Sequence, residues 1–253
     1  GALRQTEYWQ THGEASREFD RLLADDRATA IQQIEDAKQS LSSSLTRNNI
    51  TVDDVELGEL AKTSIREAWD NADVNQYVAD RLRWDRASGV NTEDLTGDIG
   101  SGANHLTALA ADYYVPLTRQ DIEDWALRIM DGSESNESFQ EYVVGLARGK
   151  FTDPDVLAAI DRGVAPAQFF APHRNEIANL LELAPDQVDL FNDPRFSNVT
   201  QFFDPEIKGR RSMTLGETRQ WARNQDEFKH TDQYRQQDAS YTDAILRTFG
   251  AIA

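Results

Sequence analysis

The chain contains no cysteine among its 253 residues. Disulfide bonds, thiolate catalysis and cysteine-ligated zinc are thereby excluded. Histidine is scarce too: only His12, His105, His173 and His230 are present. None falls in an H-E-x-x-H or H-x-x-x-H spacing, so a zinc centre is not expected and each histidine reads as a lone surface side chain. Basic residues number 26 against 44 acidic ones, a formal net charge of −18. Such a surface repels phosphate backbones and anionic lipid, which excludes a general, tight nucleic-acid binder. No apolar run approaches the roughly 18–20 residues of a membrane span. The opening residues GALRQTEYWQ hold no apolar core of the kind a secretion signal needs. Proline is nearly absent from the first 150 residues, where Pro116 stands alone.

What is present is helical periodicity. Apolar side chains recur at three- and four-residue spacing almost throughout. Phe19, Leu22 and Leu23 share one face of a helix over 14–24. Asp26 is placed to cap a longer helix to about Leu45, striped by Ile31, Ile34, Leu41 and Leu45. RNN at 47–49 supplies a left-handed stop through its asparagines. Thr51 reads as the next N-cap, before a helix carrying Val55, Leu60, Ile65 and Trp69. Another helix follows with Val74, Tyr77, Val78, Leu82 and Trp84. From Ala87 to Gly102 the chain is polar and glycine-rich, the pattern of a linker or mobile loop, and a helix resumes near Ala103. Pro116 stops that helix. Thr118 caps one with Ile122, Trp125, Ile129 and Met130, and the following helix holds Phe139, Tyr142, Val143 and Leu146.

Two stretches, 50–82 and 115–146, thus share one order: cap, helix, tryptophan, polar turn, helix with a Tyr-Val pair. The parallel predicts a duplicated helical hairpin, with each tryptophan packed across its hairpin near the turn. The remaining prolines, Pro154, Pro166, Pro172, Pro185, Pro194 and Pro205, all fall within 151–205 and predict short helices with proline in the first turn. QFFDPEIKGRRSM, residues 201–213, alternates and turns like a β-hairpin. Thr214 caps a helix with Leu215, Thr218 and Trp221, and a last helix runs from about Asp232 to Phe249 with Gly250 as its stop. The expected fold is all-α: an array of helical hairpins with at most one short β-hairpin, near 201–213. Its expected parts are an N-terminal helical module (1–86), a central hairpin module (87–150, a repeat of 50–82) and a proline-punctuated remainder (151–253).

Chemistry is sparse. DNADVNQYVADR (70–81) and DGSESNESFQEY (131–142) resemble calcium loops only superficially, because Ala72, Val74 and Tyr142 stand where oxygen ligands are required. GDIGSGAN (97–104) is not a phosphate loop, since no G-K-S or G-K-T follows it, and reads as a flexible helix entry. No G-x-S-x-G elbow occurs. Glu67 beside Trp69 and Glu123 beside Trp125 are the only carboxylates that suggest glycoside chemistry, and each reads more simply as the polar face of an amphipathic helix. The five tryptophans read as core anchors rather than a ligand cage. Basic residues cluster only at Lys208, Arg210 and Arg211. That cluster is either a plain hairpin tip or a contact for an acidic partner, a second copy of the chain included. No catalytic, cofactor-binding or metal-binding residue is assigned, and no cofactor is expected.

Four stretches carry a resemblance. They are LRQTEYWQTHGEASREFDRLLADDRATAIQQIEDA, LTALAADYYVPLTRQDIEDWALRIMDGSESNESFQEYV, AIDRGVAPAQFFAPHRNEIANLLELAPDQVDLFNDPRF and MTLGETRQWARNQDEFKHTDQYRQQDASYTDAILRTFG. In order and in placement of helix boundaries and aromatics they resemble minor tail or internal virion proteins of tailed bacteriophages of actinobacteria. A second N-terminal tryptophan of that pattern is here either occupied by Tyr8 or absent. The resemblance implies a non-catalytic structural component of the virion, placed in the tail, at its tip or inside the particle for ejection. Its partners would be other virion proteins, further copies of itself among them. The alternatives are a phage-associated peptidoglycan hydrolase of lysozyme-like type and a scaffolding or assembly chaperone.

Overall fold

The computed structural model describes residues 13–89 and 95–248. Among them lie twelve α-helices and one two-stranded antiparallel hairpin, the expected all-α class. Contacts gather the chain into two units, residues 1–109 with 117–141, and residues 110–116 with 142–253. Of its boundaries, 109/110 and 141/142 fall inside helices and 116/117 lies between two.

The first unit opens with α1 (Glu14–Asp25), α2 (Arg27–Arg47) and α3 (Asp54–Arg66), which pack on one another. Asp26 separates α1 from α2 as expected: its carboxylate accepts from the Thr29 amide at 3.2 Å and the Thr29 hydroxyl at 2.7 Å. Burial of Phe19, Leu41 and Leu45, each worth about 1.5–3 kcal/mol, binds the three together. Ile31 was expected in that stripe but is 48% exposed, since the buried face at that level belongs to Ala30. α2 ends where asparagine was expected to end it, with Asn49 at φ 56°. The cap of α3 is Asp53 and not Thr51: the Asp53 carboxylate accepts from the Glu56 amide at 2.8 Å. Val55, in the first turn, faces solvent.

Ala68, at the left-handed φ of 54°, closes α3, and Asp70 opens α4 (Asn71–Ala87) through a capping box with Asp73. α5 (Gly97–Asp112) starts well before the expected Ala103. Two of its three glycines, Gly97 and Gly100, are contact residues rather than a flexible entry. Gly97 sits at φ 68°, and a Cβ there would lie 1.4 Å from the Arg47 carbonyl oxygen. The buried Asn48 side chain then accepts from the Ile99 amide at 3.4 Å, so the end of α2 caps the start of α5. The part of the expected linker at 90–94 lies outside the described residues.

Thr118 and Asp121 form the capping box of α6 (Arg119–Met130), and Gly132 at φ 77° leads into α7 (Asn136–Lys150). The two expected hairpins share their helices but not their tryptophans. Trp69 lies beyond the end of α3, with its ring 5.7 Å from Tyr77. Trp125 lies within α6 and meets Phe139 edge-on at 5.2 Å. Phe139 is fully buried, whereas Tyr142 of the Tyr-Val pair is 42% exposed.

The second unit contains α8 (Pro154–Asp161), α9 (Pro166–Phe169) and α10 (Ala171–Leu181), each with a proline in its first turn as expected. Proline is tolerated there because its missing N–H would have no helical partner in any case. Glu182, at φ 52°, ends α10. Strands β1 (Phe202–Asp204) and β2 (Gly209–Arg211) pair Phe202 with Arg211, Phe203 with Arg210 and Asp204 with Gly209. Thr214 and Glu217 form the capping box of α11 (Leu215–Arg223), which packs on α10. Val156, Ile160, Phe170, Ile177, Leu190 and Val199 make the core. The chain then enters α12 (Asp232–Thr248). Its base is held by Phe228 against Tyr234, ring centroids 5.7 Å apart, and by the Gln233 amide donating to Glu182. Beyond that base, among the side chains described, only Gln237 and Leu246 are partly covered; Tyr241 and Ile245 are 67% and 55% exposed. The expected terminus of this helix, Phe249 and Gly250, lies outside the described residues.

Candidate functional site

Among the described residues polar side chains come together at several places, and three of these bear on a candidate site. The first involves Glu123 in the first unit. A carboxyl on the solvated face of a helix would be exposed, yet Glu123 is 7% exposed. α4 brings Arg86 to it, and Arg119, one turn earlier on α6, donates to its other oxygen at 3.0 Å. Burial alone would raise its pKa, but the hydrogen bonds from Arg119 and Arg86 outweigh that and hold it below the usual glutamate value. Beside it, Arg83 binds Asp131 and Asp80, and Asp131 is likewise held low against its burial by Ser133 and Arg83. The open cleft over this network measures about 590 Å³. A general acid needs a raised pKa, so the network suits a structural tie between α4 and α6 and not proton donation. The other candidate carboxylate, Glu67, is exposed just past α3 and accepts from the Trp69 indole N–H at 2.9 Å.

The second place is the hairpin with its three cations, which the structure separates by role. Arg211 is structural. Its Nε donates to Asp204 at 2.6 Å, and its two terminal nitrogens grip Glu217 bidentately at 2.8 and 2.7 Å, joining the hairpin to the first turn of α11. The Arg211 hydrogen bonds depress Glu217 to a pKa of about 2. Arg210 is exposed and gives one N–H to Gln201 at 3.0 Å. Lys208 sits at the turn with φ 52°, exposed.

Beneath Arg210 lies a cleft of about 310 Å³, lined by Lys150, Phe151, Phe170, Phe191, Thr200 and Ser212 among others. Asp153 at its wall is buried, yet it stays below the usual aspartate pKa. Burial pushes it up, and hydrogen bonding from Ser212, Asp155 and Val156 outweighs that. Sequence reasoning missed this cleft because its walls come from residues 150–212 and no local pattern marks them.

The third place is His173, expected at the surface and found 8% exposed. Its Nδ1 lies 2.8 Å from the Thr218 hydroxyl, which itself donates to the Thr214 carbonyl. That arrangement fits the Nδ1–H tautomer, whose proton the hydroxyl can accept while donating its own. Burial lowers its pKa, in agreement with a neutral ring. His105 and His230 are exposed as expected, and His12 lies outside the described residues. Of the tryptophans, Trp125 is buried, Trp69 and Trp221 are half-buried, and Trp84 is 57% exposed beneath the Arg81 guanidinium. Trp9 lies outside the described residues.

Among the described residues no group of three or more His, Asp or Glu side chains is placed to hold a metal ion, and no helix is long and apolar enough to cross a membrane. Comparison with protein-family models, with curated proteins and with solved structures finds no match.

Proposed function

We propose that this chain is a non-catalytic structural component of a tailed bacteriophage particle: a minor tail, tail-tip or internal, ejected protein that works by assembling with other virion proteins. The observation that carries the assembly role is α12, which beyond its anchored base turns Tyr241 and Ile245 to solvent one helical turn apart. An amphipathic helix owes most of its stability to packing of its apolar face, so such a face fits a partner. The virion context comes from the resemblance of the four ordered segments. A surface of net charge −18 supports passage beside DNA without retention, since it offers phosphates no counterion release. The Glu123 network works against the hydrolase alternative, because its carboxyl is held ionised by two arginines.

The test is mass spectrometry of purified particles of the phage encoding the chain, with size-exclusion light scattering of the purified protein. The expected result is recovery of the chain from mature particles, together with concentration-dependent association weakened by Tyr241→Ser with Ile245→Ser. Presence in assembly intermediates but absence from mature particles would instead make it a scaffold. Clearing of a murein gel that is lost in Glu123→Gln would overturn the non-catalytic reading.

A further inference from the structure

We propose that the cleft below the β-hairpin is a binding site for a carboxylate carried on a flat apolar body. The inference stands on the second unit alone and does not depend on the virion reading.

The floor is aromatic and fixed. Phe191 is held on one side by Tyr114, ring centroids 3.9 Å apart, and edge-on by Phe170 at 5.2 Å and Phe151 at 5.6 Å. Phe170 is 1% exposed, so this set does not rearrange cheaply. A cleft of about 310 Å³ over such a floor has room for one ring and a short chain.

The charges around it are unequal in their commitments. Arg211 is spent on Asp204 and Glu217. Asp153 is ionised, but its two oxygens accept from the Asp155 and Ser212 amides, so it repels an incoming anion less than a bare carboxylate would. Lys150 and Arg210 make no ion pair among the described residues, in a chain where acidic groups outnumber basic ones 44 to 26. Lys150 gives one N–H to the Tyr114 carbonyl at 2.7 Å, which sets its ammonium 5.8 Å from the Phe191 ring centre. Arg210 gives one of its five N–H groups to Gln201. Both cations line the same cleft with donors to spare, and Thr200 lines it with them. An aromatic platform bordered by two cations without acidic partners matches a ring bearing a carboxylate and mismatches a neutral or cationic ligand.

The test uses the full chain and amide NMR titration with 3-phenylpropionate. Saturable shifts are expected around Phe191, Thr200 and Gln201, with a dissociation constant on the order of 1 mM for so small a probe. The neutral 3-phenylpropan-1-ol should bind about three- to fivefold more weakly, and Arg210→Ala or Lys150→Ala should each weaken the acid by a similar factor. Arg210→Lys should restore most of the loss, and Lys208→Ala, at the turn, should change nothing. A blocked Phe–Asp dipeptide, run in parallel, separates a protein-borne carboxylate (the peptide binds tighter) from a free small acid (phenylpropionate binds tighter). Absence of saturable shifts, or equal binding of acid and alcohol, overturns the proposal.

Discussion

Replacing Glu123 by glutamine tests the distinction between a structural and a catalytic carboxyl. The change keeps shape and removes charge, leaving Arg86 and Arg119 facing a neutral amide. Breaking a fully buried ion pair costs about 3–5 kcal/mol. Here the Glu123 side chain is 9% exposed, but Arg86 is 23% and Arg119 56% exposed, so water re-solvates part of what is lost. That discount brings the expected cost to about 1–3 kcal/mol at pH 7. With a urea dependence of about 3 kcal/mol/M, the midpoint should fall by about 0.3–1 M. The pH dependence has a definite sign. Because the folded-state pKa of Glu123 is depressed below its unfolded value, its contribution is complete above the unfolded pKa and disappears as pH falls through the folded one. The gap between the wild-type protein and Glu123→Gln should therefore be full near pH 6–7 and close in acid, below about pH 4. Urea titrations followed by circular dichroism at several pH values measure this. An unchanged midpoint at pH 7, or a Glu123 carboxyl found to titrate above the ordinary glutamate range, would refute the reasoning and restore Glu123 as a general-acid candidate.

Gly97→Ala should destabilise the first unit by more than the roughly 1–2 kcal/mol of left-handed strain, because its Cβ meets the Arg47 carbonyl. Gly102→Ala, which meets nothing within 4 Å, is the control in the same thermal melt. Thr218→Val should cost about 1–3 kcal/mol by leaving the His173 Nδ1–H without an acceptor, read by urea denaturation. In the parent protein the lowered His173 pKa gives stability that is full above about pH 6.5 and lost as pH falls through the folded value. Nitrogen-15 shifts of the imidazole should show the Nδ1–H tautomer.

Elements ruled by neighbours in the chain were readable from it. The caps at Asp26, Thr118 and Thr214, the stop at Asn49 and the first-turn prolines of α8, α9 and α10 all act within about four residues. The choice of Thr51 over Asp53 failed because both are good caps two residues apart, and only the Glu56 amide decides between them. What distant residues decide was not readable. The glycine at 97 looks like part of a loop until the Arg47 carbonyl that crowds it is known. Glu123 looks solvated until Arg86, 37 positions earlier, is placed against it, and the partner of His173 lies 45 positions away. The cation cluster was visible as a cluster, but its division between Arg211, spent on α11, and Arg210, open over the cleft, belongs to the tertiary structure.

The left-handed stops at Ala68 and Glu182 carry one more consequence. Alanine is the best helix former of all, and glutamate is a good one, so neither residue instructs a nascent segment to halt. A peptide cut from this region and studied alone should overrun the native end at 68 or 182 by a few residues, up to the Asp70 cap or the residue before Pro185, until the surrounding body has closed around it. The last residues of these helices are thus settled late in folding by the assembled protein, within limits that the local code sets.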